Sequence, residues 1–543
     1  MTGSIVATHP NPFADRYRRE GHWAERALAD LFAQVAAQRG AAVATIDATR
    51  HLSFLELDTV SGRLASHLAA LGIGLGDVVA YQLPNWWEAV VAFLAATRLG
   101  AIVNPLLPIF RASELRFTLA QSRARALLIP GTFRGYDYRQ LLSELWPQLS
   151  DLEHVIVVRD EPLPGMQRWE DVVSETATAA SATVVEPDRI ALLMYTSGTT
   201  AAPKGVLHTH NSLAAEVMSL RRVHALTPAD RTLMPSPLTH ISGVMHGILT
   251  PALLGTSAVL MERWDPAQAL ALIGAEHVTY MIGAPTFLQD LLAQAEATGT
   301  PTDTLQSFRL FSCGGASVPP ELIRRARQRF RSCIAKRVYG STEFPTITTT
   351  EPADATAHGI DSEGRAISPA EVRITDATGT SLSAGAEGEV QARGPECFVG
   401  YLDADLNAES FAADGWFRTG DLGVLGADGY LCITGRLKEI VIRKGEKISI
   451  KEVEDVVAEH PAVAEVAVIA LPDPHTGEHA CAAVRLRPGM TMSLSDLQRF
   501  LSGRGLATQK WPEELRVVPA FPRTESGKIL RPKLKEELLR GSV

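Results

Sequence analysis

The apolar run Ile190-Ala191-Leu192-Leu193-Met194 ends at Tyr195, and the residues that follow, Thr196 to Val206 (TSGTTAAPKGV), are small, hydroxyl-rich and carry a single lysine. A short apolar run bounded in this way predicts a buried strand, so a loop must leave its end. Gly198 and Gly205 let backbone N–H groups converge on an anion. The hydroxyls of Thr196, Ser197, Thr199 and Thr200 add donors, and Lys204 adds a compact positive charge. Such a loop suits the polyphosphate of ATP. A flexible Ser/Thr/Gly linker is the plainer account, but linkers rarely sit directly behind a buried strand. The ordinary P-loop pattern is not met, because Pro203 precedes Lys204 and Gly205 follows it, which counts against a motor, GTPase or kinase.

At 543 residues the chain is long enough for about three or four domain-sized units. With 46% apolar and 21% charged residues it has the composition of an ordinary globular protein. The net charge of -9 offers no basic footprint for nucleic acid, which excludes that partner class. Cys313, Cys333, Cys397, Cys432 and Cys481 are far apart and form no metal-ligand cluster, so reduced thiols and a cytoplasmic site are expected. The N-terminus reads as no secretory signal. The most apolar later window, from Ala89 to Phe110, is interrupted by Arg98, Asn104 and Pro105, so no membrane span is expected.

Strand and helix signals alternate. Val78-Val79-Ala80-Tyr81 predicts a strand, Asn85 a helix N-cap, Trp86 to Leu99 a helix, Gly100 its stop and Ala101-Ile102-Val103 the next strand. The same grammar recurs from Arg231 to Met261 and from His277 to Phe330, while Thr176 to Pro187 reads as a connector. This order predicts an α/β fold of parallel sheets covered on both faces, with ligands at the carboxyl ends of the strands.

Several segments with chemical potential fall at such ends. In Val338-Tyr339-Gly340-Ser341-Thr342-Glu343 a flat aromatic can stack on adenine, Thr342 can donate to a phosphate and Glu343 can hold a hard cation; a surface turn is the bland alternative. Asp421, in Trp416 to Gly423 (WFRTGDLG), can accept from both hydroxyls of a ribose, or is only a turn residue. His240, in Ser236 to Gly243 (SPLTHISG), borders a pocket or is a hydrogen-bonded structural histidine. Lys528, in Pro522 to Ile529 (PRTESGKI), taken alone is a common exposed tail lysine.

Taken in order, these segments resemble the adenylate-forming superfamily, which includes acyl-CoA synthetases, stand-alone aryl-acid activators, nonribosomal adenylation domains and beetle luciferase. The resemblance spans nearly the whole chain. It implies a large multi-layer N-terminal domain with mostly parallel sheets over residues 1–436 and a small mobile α+β C-terminal domain over 437–543. It also implies ATP, Mg2+ and CoA as the reacting partners of a carboxylic acid. The opening Ala14 to Trp23 (ADRYRREGHW) is similar to cyclohexanecarboxylate-type and medium-chain CoA ligases and to dihydroxybenzoate activators.

By that resemblance, Thr196, Ser197, Gly198, Thr199, Thr200 and Lys204 grip phosphate, and Gly314, Gly315, Ala316, Tyr339, Gly340 and Ser341 line the adenine and acyl region. Thr342, Glu343, the metal ligand, His240 and Lys528, the adenylating lysine, are catalytic, Asp421 and Arg436 hold the ribose and phosphate region, and Lys438 is a hinge. Lys444 and Gly445 form a turn brought to the site for thiol attack. His240, Ile241, Gly243, Gly283, Gly314 and Pro345 shape the acyl pocket, although tight glycine turns also account for Gly283 and Gly314.

No acid occurs between Ser236 and Gly247, where amino-acid-activating relatives place an aspartate, so an amine-free acid is favoured, of medium-chain, alicyclic or aromatic type. A second reading is an activator that loads a carrier protein. The oligomeric state stays open. Ala201 stands where relatives usually carry glycine, Ile450 where proline is common, and Ser341-Thr342 where dihydroxybenzoate activators tend to have Met-Ala. Ser449 and Glu452 predict a capping box on the first C-terminal helix, and Gly388 to Tyr401 is assigned no chemistry.

Overall fold

The computed structural model describes residues 5–174, 183–196, 203–301, 305–437, 440–443, 446–473 and 477–541. Two large sheets dominate the first four hundred residues. One runs in the order Lys204–Thr209, Ile190–Thr196, Ile102–Pro105, Val78–Tyr81, Ala124–Pro130, His154–Val158 and Gln167–Arg168. It is parallel except at its first pair. The other places Ile334–Tyr339, Leu310–Gly314, Tyr280–Gly283, Arg231–Met234, Ser257–Leu260 and Val43–Ile46 side by side and parallel, with short antiparallel strands at both edges.

The helix Trp87–Arg98 shows why the sheets pack as layers. Its sequence, WEAVVAFLAATR, is apolar on every face, and all of its residues are buried, as expected of a helix with protein on all sides. One continuous core joins its side chains to Val78–Tyr81 and Leu192–Tyr195 of one sheet and to Met234, Ala258 and Leu260 of the other. The charges at its start are compensated: Arg159 pairs with both Glu88 and Asp47 at 2.7 Å.

The predicted βαβ unit at Val78 to Val103 is present, with one correction. Asn85 does not cap the helix; Trp86 occupies that position without a side-chain bond. The Asn85 amide instead donates to the carbonyls of Met234, Ser236 and Met261 and accepts from Leu238 N–H at 2.8 Å. Its more valuable use is to satisfy buried backbone groups where the two sheets meet. Tyr81 adds a hydroxyl bond to Leu238 O at 2.8 Å, so one sheet holds the segment that carries His240.

An antiparallel sheet of Glu371–Thr375, Glu387–Arg393, Phe417–Leu425 and Leu431–Arg436 follows. The last hundred residues build a smaller α+β unit on Ile440–Arg443, Glu446–Ser449, Val463–Asp473, Gly477–Leu486 and Glu514–Val517. It has a core of its own around Val441, Val453, Val468, Val484 and Leu497. Ser449 caps the Ile450–Ala458 helix by accepting from Glu452 N–H, but the reciprocal half of the predicted box is not made. The Glu452 carboxylate is drawn to Lys510, whose ammonium lies 2.6 Å away. The five cysteines are unpaired, and among the described residues no helix is long and apolar enough to cross a membrane.

Candidate active site

Tyr280–Gly283, Leu310–Gly314 and Ile334–Tyr339 are adjacent parallel strands, with Gly283 opposite Cys313 and Gly314 opposite Val338. Their carboxyl ends therefore form one row, and the loop after Arg231–Met234 opens beside them. Glycine is required in this row by close approach. A Cβ on Gly314 would lie 2.3 Å from Val338 O, and one on Gly340 2.1 Å from Pro345 O. The turn after Tyr339 is tied by Ser341 N–H to Phe344 O at 2.9 Å. It is braced from outside by His208, whose ring Nε2 donates to Thr342 O over 2.8 Å. Burial pushes the His208 pKa down to about 4, so the ring is neutral. Nothing local marks His208, because its partner is 134 residues away.

Tyr339 reaches the antiparallel sheet. Its hydroxyl donates to Asp421 Oδ2 at 2.7 Å, and Arg436 Nε donates to Asp421 Oδ1 at 2.7 Å across a strand pair. Glu343 is held from the segment assigned no chemistry: the Tyr401 hydroxyl donates to Glu343 Oε1 at 2.7 Å, and the Lys204 ammonium sits 5.2 Å from the centre of the Tyr401 ring. Tyr401 thus links Lys204 to the Glu343 carboxylate. Thr196 and Lys204 face each other across an antiparallel strand pair. Ser197, Gly198, Thr199, Thr200, Ala201, Lys438, Lys444 and Gly445 lie outside the described residues.

Between the row of strand ends and the His210–Val223 helix is a cavity with about 690 Å³ of space, open mouth included. Ile241, Met245, Ile282, Val338 and Pro345 supply apolar wall, and Gly283, Gly314, Gly315, Gly340, Ser341 and Thr342 line it as well. Met245 and His246 face it from a π-helical stretch, Val244–Leu249, a geometry that often marks functional sites. Gly243, expected among the lining residues, is not one of them: a Cβ there would fall 1.9 Å from Pro237 O, so this glycine serves backbone packing. Ala316 is exposed and outside the lining.

His240 lines the cavity while also capping the short helix Ile241–Gly243, its Nδ1 accepting from Ser242 N–H at 3.3 Å. Burial first, and then the charge of Lys528, lower its pKa to about 3. The neutral ring with Nδ1 as acceptor carries its proton on Nε2 and is a donor rather than a base.

Lys528 enters the same cavity from the smaller unit. Its Cε is 3.3 Å from where a Cβ would stand on Gly315. The loop that carries it is closed by Thr524 N–H to Lys528 O at 2.8 Å and by Lys528 N–H to Thr524 Oγ1 at 3.0 Å. It docks on the larger part of the chain through Thr286 Oγ1, which donates to Gly527 O at 2.9 Å and accepts from Arg523 at 2.8 Å. Burial, and then Arg436, lower the Lys528 pKa to about 8, against the opposing pull of Glu343 and Asp421. A tail lysine 213 residues from Gly315 in sequence is therefore an enclosed cation among the predicted nucleotide and acyl groups.

Residues 32–402 match the family model for the AMP-binding enzyme, and residues 452–528 match that for the AMP-binding enzyme C-terminal domain. The chain belongs to the AMP-binding enzyme family. It is 34% identical to the medium-chain fatty-acid–CoA ligase of Escherichia coli over 96% of this chain and 92% of that protein. It is also 34% identical to the salicyl-AMP ligase / salicyl-S-ArCP synthetase of Mycobacterium tuberculosis over 97% and 94%. An anthranilate CoA ligase in complex with anthranoyl-AMP superimposes with a TM-score of 0.87 over 96% of this chain and 98% of that one; at 24% identity this shows the shared fold. This member of the family is an adenylate-forming enzyme of the acid–CoA ligase group.

Cavity residues that the sequence reading missed include Glu216, Ser236, Met245, His246, Ile282 and Thr346. Glu216 corrects an inference, since the absence of an acid from Ser236 to Gly247 does not leave the cavity free of one. No local signal marks Glu216: it stands in the middle of His210–Val223, where its neighbours on both sides are buried as well.

Proposed function

We propose that this enzyme joins an amine-free carboxylic acid to CoA by way of an acyl-adenylate. The observation that carries this reading is Lys528 lying against Gly315 in the cavity that also holds His240 and Thr342. In the first step a carboxylate oxygen of the acid attacks the α-phosphorus of ATP, and the bond to pyrophosphate breaks. Both reactants are anions, so positive charge and orientation are what the protein must supply. Lys528 gives an enclosed ammonium, Thr342 a hydroxyl donor and His240 a neutral N–H donor. Asp421 accepts from the ribose, Tyr339 offers its ring face to adenine, and Arg436 and Lys204 add charge near the phosphates, with Thr196 and the loop after it as further donors.

Glu343 fits Mg2+: one oxygen accepts from Tyr401, the other keeps acceptor capacity, and a single carboxylate plus substrate phosphates is a usual environment for that ion. Bound there, Mg2+ would neutralise polyphosphate charge. In the second step the CoA sulfur attacks the acyl carbonyl and AMP leaves. The smaller unit, residues 437–543, has its own core and meets the cavity through the Lys528 loop. This supports a rotation about Lys438 that withdraws Lys528 and presents Lys444 and Gly445 to the thiol.

The apolar wall of Ile241, Met245, Ile282, Val338 and Pro345 supports a medium-chain, alicyclic or aromatic acid. The similarity to a salicyl-S-ArCP synthetase favours a second reading, in which a carrier-protein thiol replaces CoA. A panel of carboxylic acids followed by AMP release with and without CoA tests both. Acyl-CoA formed without any carrier protein supports the first reading. Pyrophosphate release with no transfer to CoA supports the second, and release of neither pyrophosphate nor AMP with any acid contradicts both.

A further inference from the structure

The peptide that joins Gly527 to Lys528 is held at both of its polar ends. Its N–H donates to Thr524 Oγ1 at 3.0 Å, within the loop itself. Its carbonyl, Gly527 O, accepts from Thr286 Oγ1 at 2.9 Å and from Arg523 Nη1 at 3.0 Å. A peptide is planar, so holding its two ends sets the direction in which the Lys528 side chain leaves the backbone. That direction places Cε 3.3 Å from where a Cβ would stand on Gly315.

The two bonds to that carbonyl come from different parts of the chain. Arg523 belongs to the smaller unit and is oriented there: its other terminal nitrogen donates to Glu465, whose second oxygen accepts from Arg485 Nε at 2.6 Å across a strand pair. Thr286 belongs to the larger part. It is the second residue of the helix Pro285–Thr298, which begins two residues after the strand Tyr280–Gly283, and the ring of Pro285 and the branched threonine side chain leave it little freedom. Its hydroxyl accepts from Arg523 Nη1 at 2.8 Å and donates to Gly527 O, so both of its capacities serve the Lys528 loop. The loop packs on the start of the same helix: a Cβ on Gly527 would lie 3.4 Å from Ala284 Cβ and 3.7 Å from the Phe287 ring. Another contact of the loop, Arg134 with Glu525, spans 3.8 Å with the arginine half-exposed, and pairs of that kind are worth little. Thr286 does not line the cavity, so what it contributes to the reaction passes through Lys528.

We propose that Thr286 is a positioning residue for adenylation alone: its hydroxyl fixes the Gly527 carbonyl, and through it the Lys528 ammonium, and it has no part in thiol attack, when Lys528 is withdrawn. This rests on the ligase reading and assigns one half-reaction to a residue outside the cavity. A displacement of about 1 Å at a reacting centre can cost roughly a hundredfold in rate, so the bond matters more to the chemistry than to the fold.

The test compares Thr286→Val, which removes the hydroxyl and keeps the shape, with Thr286→Ser, which keeps the hydroxyl. Hexanoate, cyclohexanecarboxylate and benzoate serve as probes of ATP–pyrophosphate exchange, and their preformed adenylates as probes of thioester formation with CoA or pantetheine, with melting curves to show folding. Thr286→Val should slow exchange at saturating ATP and acid by roughly tenfold to a hundredfold, with KM for both within about threefold, and should leave thioester formation within about twofold of wild type. Thr286→Ser should bring exchange back to within about threefold of wild type. If Thr286→Val does not fold, Thr286→Ala takes its place. Exchange at the wild-type rate in the folded variant overturns the inference and leaves the ligase reading intact. So does an equal loss of both half-reactions, or a Thr286→Ser variant no faster than Thr286→Val. Wild-type exchange with no acid overturns the ligase reading and this one with it.

Discussion

The Tyr339 hydroxyl donates to Asp421 Oδ2 over 2.7 Å, so the end of a parallel strand is tied to the antiparallel sheet through a carboxylate. Arg436 holds the other oxygen at 2.7 Å, and the carboxylate is thereby fixed in orientation. Asp421→Asn should raise KM for ATP by roughly 10- to 100-fold, the worth of a charged hydrogen bond or two, with KM for the acid little changed. Tyr339→Phe keeps the ring face and should cost less. Initial-rate kinetics with each substrate varied in turn checks both.

Lys528 must be charged to draw two anions together, and burial holds its pKa near 8. As pH rises through about 8, the free enzyme loses that charge, so kcat/KM for adenylation should fall on the alkaline side with an apparent pKa near 8. Bound phosphate favours the ammonium form, so the fall in kcat should come at higher pH. Lys528→Arg should move the alkaline limb beyond about pH 10, because the guanidinium stays protonated. An unchanged limb in that variant would show that another group titrates.

Much of this arrangement was legible in the sequence because its causes are local. The strand at Ile190–Thr196, the βαβ order from Val78 to Pro105, and the glycine-ended strands at Gly283 and Gly314 follow from periodicity and from turn residues. The motif residues Tyr339, Asp421, Arg436 and Lys528 were recognisable as types suited to phosphate, ribose and charge. What was not legible depends on partners remote in sequence. Asn85 looks like a cap, yet its amide satisfies carbonyls some 150 residues away. Tyr401 looks structural until Glu343 and Lys204 are placed beside it. Glu216 sits in a helix whose sequence does not reveal which face meets the cavity.

Gly315 has φ of +78°, and a Cβ there would stand 3.3 Å from Lys528 Cε. Gly315→Ala should therefore destabilise the fold by about 1 kcal/mol through the backbone and also displace the lysine. Adenylation should fall by more than the lost stability explains. Comparing melting temperature with the adenylation rate in the folded range separates the two effects.

Glu396 is fully buried, accepts from Ser219 Oγ at 2.6 Å and has its pKa raised to about 7, burial being the main cause. Between pH 4.5 and about 7 the folded state keeps a proton that the unfolded chain releases. Stability is therefore greatest below the unfolded value and declines as pH rises to about 7, by roughly 3 kcal/mol over the window. Glu396→Gln should flatten the decline, as read from denaturant unfolding at a series of pH values.

Separate assay of the two half-reactions in Lys528→Ala tests the central claim most directly. ATP–pyrophosphate exchange should drop by three orders of magnitude or so, in keeping with the loss of a principal electrostatic contact, while conversion of a supplied acyl-adenylate to the thioester stays within a few-fold of wild type. Exchange at the wild-type rate in a folded variant, or equal loss of both half-reactions, would contradict the assignment of the enclosed tail lysine to adenylation.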